Sequence, residues 1–423
     1  MRKILFLLPS RALSGGVLVV RHHARLLAEK GYEVTVAYLH ACDLDDDDIM
    51  PAIEPVREIL HAELCDDENF DVAVATWWET AYYVAEVRSK SYFYFVQGFE
   101  DRLYPGESVW PLLVQRTLQT GFHFITVNTG LQRYLQTVFN QTSVVVPPGI
   151  SLEDYDCQPA IERKNDQLRV LVEGSPDALY KRVGLAFEAL SHVSNIETVY
   201  VSPAGKAKDD WRVDYFYERV PPGRMPAIHK SCDLILKLST DETFSMPVLE
   251  SFAAGATAVT AQFHGGSDFI VDGENALIVP VDDVSAVAKA LRKLQTDRQF
   301  LQGLGANARK TAQNYSWCRQ SSKLEEALRH GFMSSGQKVP PLQGCLPSFQ
   351  AAHAMRLELT QARLDNDHLR DSHAHLSQLL GKAQAELSEA GNEAARLRAS
   401  RSYRVGNSIA RAYRKIKPAR ADR

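Results

Sequence analysis

Residues 233–255 run Asp233-Leu234-Ile235-Leu236-Lys237-Leu238, then Ser239-Thr240-Asp241-Glu242-Thr243-Phe244-Ser245-Met246-Pro247-Val248-Leu249-Glu250, then Ser251-Phe252-Ala253-Ala254-Gly255. The first group is an apolar run of strand length. Pro247 suits the first turn of a helix, where its missing N–H costs nothing. Strand, loop and Pro-started helix make one βα unit. The amides from Phe244 to Met246 then stand as unpaired donors at a positive helix end, a place for a diphosphate. Glu250 falls about one turn into the helix, where its carboxylate accepts from both hydroxyls of a ribose. Glu242, in the loop, faces the other end of the diphosphate.

The same alternation extends on both sides. Lys3 to Pro9, Glu33 to Leu39, Asp71 to Thr76, Ser91 to Gln97, His123 to Asn128 and Ser143 to Pro147 read as strands, with Ser14-Gly15-Gly16 opening a helix over about Val17 to Lys30 that Gly31 ends. Pro147-Pro148-Gly149 and the polar stretch from Glu153 to Gln167 read as an interdomain linker. A second series follows with strands Leu168 to Glu173, Thr198 to Ser202, Asp233 to Leu238, Ala256 to Thr260 and Ala276 to Val279. The helices ending near His330 either complete the second domain or cross back to the first. The fold class is α/β, two parallel-sheet domains at 1–150 and 151–335. At 423 residues the chain exceeds what one core serves, which agrees.

These motifs together resemble the retaining glycosyltransferases of family 4, which carry an E-x7-E motif on a GT-B fold of two Rossmann-like domains facing a cleft. Glu242 and Glu250 have that spacing, and the likeness runs on through Gly255, Gly265-Gly266 and Val271-Asp272-Gly273-Glu274-Asn275-Ala276-Leu277-Ile278-Val279-Pro280. It reaches back to Pro147-Pro148-Gly149-Ile150 and Gly15-Gly16, covering about residues 1 to 330. The resemblance implies a nucleoside diphosphate sugar as donor, no cofactor and no obligatory metal. Glu250 would bind the ribose, Glu242 and the amides of Phe244, Ser245 and Met246 the sugar and phosphates. Gly15 and Gly16 would approach the donor from the first domain.

After the first strand of domain two stand Gly174-Ser175 and Lys181-Arg182. Family members place an Arg after the glycine and a Lys a few residues later, both facing the leaving diphosphate. Lys181 fits, Ser175 departs, and Arg182 is the candidate substitute because a guanidinium pairs phosphate bidentately. Gln97-Gly98-Phe99-Glu100-Asp101 ends a strand of domain one and is similar to a segment of rhamnosyltransferase-type relatives. Gln97 and Glu100 are therefore acceptor-side candidates, with a plain turn as the alternative. The acidic run Asp45 to Asp48 lacks companion ligands and reads as a solvated loop. Trp77-Trp78 reads as packing.

Residues 336–349 form a Pro, Gly and Gln-rich connector. Over 350–399, Met355, Ala362, Leu369, Leu376, Ala383, Ala390 and Leu397 recur every seven residues beside Leu359, Asn366, His373, Leu380, Leu387 and Ala394. This is a coiled-coil pattern, and Asn366 at an a position favours a parallel homodimer; a solvent-exposed amphipathic helix is the alternative. Residues 400–423 form a basic amphipathic tail. From Arg396 to Arg423 there are ten basic residues and one acid, interleaved with Tyr403, Val405, Ile409, Tyr413 and Ile416. Such a stretch suits an anionic membrane face and a lipid-linked acceptor, or is a disordered solubilising tail.

The formal charge of −4 gives no reason to expect nucleic-acid binding, and 45% apolar with 24% charged residues is ordinary for a globular protein. Six scattered cysteines without metal-ligand spacing, no apolar run of spanning length and no signal-like start predict a cytoplasmic protein, peripheral on the inner face of the cell membrane if the tail binds there. The expected reaction is transfer of a hexosyl or deoxyhexosyl group to a glycan or lipid-linked hydroxyl, in cell-surface polysaccharide or lipopolysaccharide assembly. The rivals are a sugar-nucleotide epimerase or hydrolase of the same fold, and a non-catalytic coiled-coil scaffold.

Overall fold

In the computed structural model two parallel sheets carry the chain to residue 333. The first is built from β1 (Lys3–Leu8), β2 (Glu33–Tyr38), β3 (Arg57–Leu60), β4 (Asn69–Ala75), β5 (Arg88–Val96), β6 (His123–Thr126) and β7 (Ser143–Val145), in the order β3-β2-β1-β4-β5-β6-β7. The second is built from β8 (Leu168–Glu173), β9 (Ile196–Ser202), β10 (Tyr215–Glu218), β11 (Leu234–Lys237), β12 (Thr257–Ala261) and β13 (Leu277–Val279), in the order β10-β9-β8-β11-β12-β13. Each sheet is parallel and reverses its strand order once, between β1 and β4 and between β8 and β11. Open α/β sheets bind ligands beyond the strand ends at such reversals. The described residues are 2–12, 14–41, 51–104, 109–263, 265–333, 342–356 and 401–416, with separate helical positions between 358 and 396.

Strands β3 and β10 are additions to the sequence reading. Both lie at sheet edges and hold only partly buried and exposed residues, so neither shows the continuous apolar run of a central parallel strand. The crossover helices are α1 (Gly15–Glu29), α2 (Trp78–Val84), α3 (Trp110–Leu118), α4 (Thr129–Phe139), α5 (Val183–Ser191), α6 (Met225–Lys230), α7 (Met246–Ala254), α8 (Val284–Thr296) and α9 (Arg298–Gln313). Their starts follow local chemistry. Ser14, Asn128, Asp283 and Asp297 each accept a backbone N–H of the first turn, and α7 begins with Pro247 inside it. The second sheet has an apolar core on each face. Val172, Leu236 and Val259 pack toward α5 and α8, while Leu171, Ile235 and Ala258 pack toward α7 and Phe252.

Helix α10 (Trp317–Met333) leaves the second sheet and packs on the first. The crossing is made at Ile150, whose N–H donates to Tyr315 O at 2.7 Å and whose carbonyl accepts from Trp317 N at 3.3 Å. A Cβ on Gly149 would lie 2.5 Å from the Trp317 ring, so a glycine is required where the two crossings touch. Trp317 in turn stacks on His22 of α1, with ring centroids 4.5 Å apart. Farther along α10, Ser91 donates to Gly331 O at 2.7 Å and Lys30 pairs with Glu325 at 2.9 Å.

Contacts divide the chain into Met1–Leu346 and Pro347–Arg423. The second unit contains α11 (Arg401–Ile416), on which Val405 and Ile409 are exposed. Apart from Met355, which is exposed, the heptad seam residues including Asn366 lie outside the described residues, as do Asp45 to Asp48 and 417–423. Among the described residues no helix is long and apolar enough to cross a membrane.

Candidate functional site

The C-terminal ends of β8 and β11 lie side by side at the reversal of the second sheet, and the register that pairs Leu236 with Val172 sets Lys237 beside Glu173. Lys237 is 1% exposed, and its ammonium bonds the Glu173 carboxylate and, at 3.2 Å, the Glu173 carbonyl. It also lies 3.5 Å from Glu242 Oε1. The same Glu242 oxygen accepts from Lys181 Nζ at 2.8 Å. Two carboxylates and two ammoniums therefore alternate in the order Glu173, Lys237, Glu242, Lys181. Burial works against the Lys237 charge, but Glu173 and then Glu242 outweigh it and hold the ammonium above its ordinary range. Burial likewise works against the Glu173 charge and is outweighed by Lys237, so that carboxyl is held below its ordinary range.

Gly174 brings Lys181 to this place. Its φ of +143° is open to glycine, and a Cβ there would meet Lys181 Cβ at 3.3 Å and Val183 Cγ2 at 3.1 Å. The loop is tied down where Thr240 N–H donates to Tyr180 O at 2.9 Å. Arg182, at φ 52°, turns to Asp282 at 3.1 Å in an exposed pair, apart from the Glu242 cluster. At the start of α7, Met246 N–H donates back to Phe244 O at 3.1 Å. The amides of Phe244 and Ser245 donate to no acceptor among the described residues, and the buried hydroxyls of Ser239 and Ser245 also lack partners there. One turn on, Glu250 Oε2 meets His229 Nε2 at 3.1 Å, and His229 Nδ1 meets Ser251 Oγ at 2.9 Å. His229 is fully buried, with Tyr155 against its ring; burial and then Glu250 push the Tyr155 phenol above its ordinary range.

From the first sheet, Gly15 and Gly16 open α1, and a Cβ on Gly16 would press on the Gln97 amide at 3.2 Å. Gly98 comes within van der Waals reach of Thr243 Oγ1, 3.8 Å from an ideal Cβ. Asn128, which caps α4, donates from Nδ2 to Thr243 O at 2.5 Å, and Thr129 N–H donates to Asp268 Oδ2 at 2.8 Å. The C-terminal edges of the two sheets thus meet at the loop that carries Glu242. Glu100 differs from its acceptor-side expectation: it is fully buried, accepting from Trp78 N–H at 2.7 Å and Tyr94 OH at 2.6 Å. Burial pushes its carboxyl up to about 8. Trp78 packs in the interior against Trp110.

Lys237, Glu173, His229 and Asn128 are site residues that the sequence reading passed over. For Lys237 a signal existed: a lysine in an otherwise apolar central strand needs a buried counter-charge. His229 carries none, since a lone histidine before a strand has no distinctive spacing.

Two parallel sheets with their strand-order reversals brought together at one cleft define the GT-B class. Residues 214–311 match the family Glycosyl transferases group 1. The D-inositol 3-phosphate glycosyltransferase of Corynebacterium diphtheriae is 30% identical over 110 residues, covering 26% of this chain and 26% of that protein. Its counterpart in Paenarthrobacter aurescens is 27% identical, covering 46% of this chain and 53% of that protein. The chain thus spans between about a quarter and about half of the curated relatives it matches. Among solved structures, sucrose-phosphate synthase from Thermosynechococcus elongatus superposes with a TM-score of 0.65 at 16% identity, covering 78% of this chain and 99% of that one. HepE of Anabaena in complex with UDP-glucose gives 0.60 at 17%, covering 78% and 100%. WaaG, a glycosyltransferase involved in lipopolysaccharide biosynthesis, gives 0.56 at 17%, covering 77% and 99%.

Proposed function

We propose that the chain transfers a hexosyl or deoxyhexosyl group from a nucleoside diphosphate sugar to a hydroxyl of a glycan or lipid-linked acceptor, with retention of anomeric configuration. The observation that carries this reading is the start of α7, where two unpartnered amides lie between Glu242 and Glu250, with Lys181 alongside. Diphosphate fits the amides and the helix end, ribose the free edge of Glu250, and sugar the Glu242 side. In the reaction the bond from C1 to the diphosphate oxygen breaks with its electron pair leaving on the diphosphate, a bond from C1 to the acceptor oxygen forms, and the hydroxyl proton is released. Lys181 and the amides meet the charge that grows on the leaving group, where preorganised donors act most strongly. No cofactor or metal is assigned a step. The binding of UDP-glucose by HepE supports a nucleotide-sugar donor, and the role of WaaG supports lipopolysaccharide or related polysaccharide assembly.

We assign α11 and the residues after it to the inner face of the cell membrane, and the heptads to a homodimer. The support is the exposure of Val405 and Ile409, one helical turn apart, on a helix that also presents Arg404 and Arg411 to solvent. Turnover with purified chain on a panel of UDP-, GDP-, dTDP- and ADP-sugars tests the reaction. Sugar transfer with one of them is expected, and nucleotide-sugar breakdown without an acceptor product points to the hydrolase instead. If a chain ending near Pro347 pelleted with anionic vesicles as well as the full chain did, the membrane role would be lost.

A further inference from the structure

The two ammoniums that share Glu242 differ in what else they reach. The Lys181 side chain is 21% exposed and pairs with Glu242 from the solvent side; that of Lys237 is 1% exposed and enclosed by protein. A diphosphate at the helix end draws Lys181 toward it, and Lys181 then weakens its hold on Glu242. Without a second cation, that carboxylate would face the incoming phosphates uncompensated, and its repulsion would oppose binding. We infer that Lys237 is a positioning residue that keeps Glu242 charged and in place while Lys181 turns to the diphosphate, an inference that rests on the donor-site reading above.

The alternation of charges supports this. Glu173 bonds Lys237 from behind and balances it, so Lys237 is anchored by the sheet and does not follow Lys181 to a ligand. The titratable groups facing the cluster are Lys181 from the loop after β8, Lys237 from β11, Glu173 from β8 and His229 from α6. Lys237 supplies a second cation to Glu242 from the neighbouring strand. It does so behind Glu242, so it acts on the carboxylate and not on the phosphate.

Proton linkage distinguishes this role from a general loss of packing. Without Lys237, a donor that takes Lys181 away leaves Glu242 without a cation beside the incoming phosphates, and negative charge on every side favours a proton there. Binding should therefore take up a proton and strengthen as pH falls, where the unsubstituted chain shows neither effect from this group. The full chain is titrated calorimetrically with UDP, GDP and dTDP from about pH 5 to about pH 9, in buffers of different ionisation enthalpy. Lys237→Met is accompanied by Lys237→Met/Glu173→Gln, which leaves no buried unpaired carboxylate and keeps the test open should the single variant fail to fold.

Both Met variants are expected to bind about tenfold or more weakly near pH 8, to take up a proton on binding and to recover at lower pH. Lys237→Arg keeps the cation and should keep the unsubstituted profile. Equal weakening at every pH without proton uptake, or unchanged binding, overturns the role of Lys237. If the unsubstituted chain binds none of the three nucleotides, the donor-site reading itself fails, and this inference with it.

Discussion

Asn128 joins the two sheets through one side chain: its Oδ1 accepts Leu131 N–H at 2.7 Å and caps α4, while its Nδ2 donates to Thr243 O at 2.5 Å. Asn128→Ala removes both bonds, and Asn128→Ser keeps a capping oxygen but is too short to hold Thr243. The Ala variant should lose about 2 kcal/mol of stability, roughly half from the cap and half from the lost hydrogen bond. The Ser variant should lose only about 1 kcal/mol. Both should weaken nucleotide binding alike, because both release the Glu242 loop. Thermal melts beside UDP calorimetry separate the two effects, and a Ser variant with full affinity would show that the bond to Thr243 does not hold the loop.

Gly265 lies against the same carbonyl, beside the Asn128 amide. A Cβ there would fall 1.6 Å from Thr243 O and 2.7 Å from Asn128 Nδ2, neither of which is the free end of a flexible chain. Gly265→Ala should therefore displace the loop, costing about 1–3 kcal/mol and most of the nucleotide affinity. Gly303, in α9 with nothing within 4 Å of its Cβ position, is the control. Its alanine variant should gain about 0.5–1 kcal/mol from helix propensity and bind unchanged.

Glu250 presents one carboxylate oxygen to His229 and leaves the other for ligand. Glu250→Ala should weaken UDP binding by about 1–3 kcal/mol, as loss of a charged hydrogen-bond acceptor does. His229→Phe fills the same buried space but frees the Glu250 rotamer, so its loss should be a smaller part of that range, seen in the donor KM more than in kcat. An unchanged donor KM and rate in Glu250→Ala would remove the ribose assignment.

The βα unit at 233–255 is legible because each signal is local: an apolar run, a helix-opening Pro247 and a terminal Gly255 whose φ is 86° in the structure. What the sequence withholds is nonlocal. Lys237 and Glu173 are 64 residues apart and become neighbours only through the pairing of β8 with β11. Asn128 is 115 residues from Thr243 and meets it only when the two sheets come together. Glu100 misleads for a related reason: a carboxylate after a strand end reads as exposed, and only the turn of chain that brings Trp78 N–H and Tyr94 OH to it shows why it lies inside. Spacing within one element fixes which face a residue takes, not what packs on it.

Burial of Glu100 and of His22, His23 and His61 predicts a pH optimum of stability. The Glu100 carboxyl is pushed up to about 8 by burial, so between its ordinary 4.5 and about 8 the folded chain holds a proton that the unfolded chain has released. That contribution is complete at low pH and is lost as pH rises, at up to about 1.4 kcal/mol per unit. His22 and His23 do the opposite. Burial lowers them from 6.5 to about 4 and about 3, so their contribution is complete above 6.5 and is lost as pH falls through that value toward the lowered ones. Burial lowers His61 as well. Below about 6.5 the histidines outweigh the one glutamate, and above it the Glu100 slope prevails among the described residues, so maximum stability is expected near or slightly above pH 6.5. Glu100→Gln keeps acceptors for Trp78 and Tyr94 and removes the titration. Its stability should therefore stop falling between about pH 6.5 and 8 and should fall more steeply from about 6.5 toward 4.5, where Glu100 no longer opposes the histidines, as read from denaturant midpoints across that range. A variant that kept the alkaline slope would show that another group sets it.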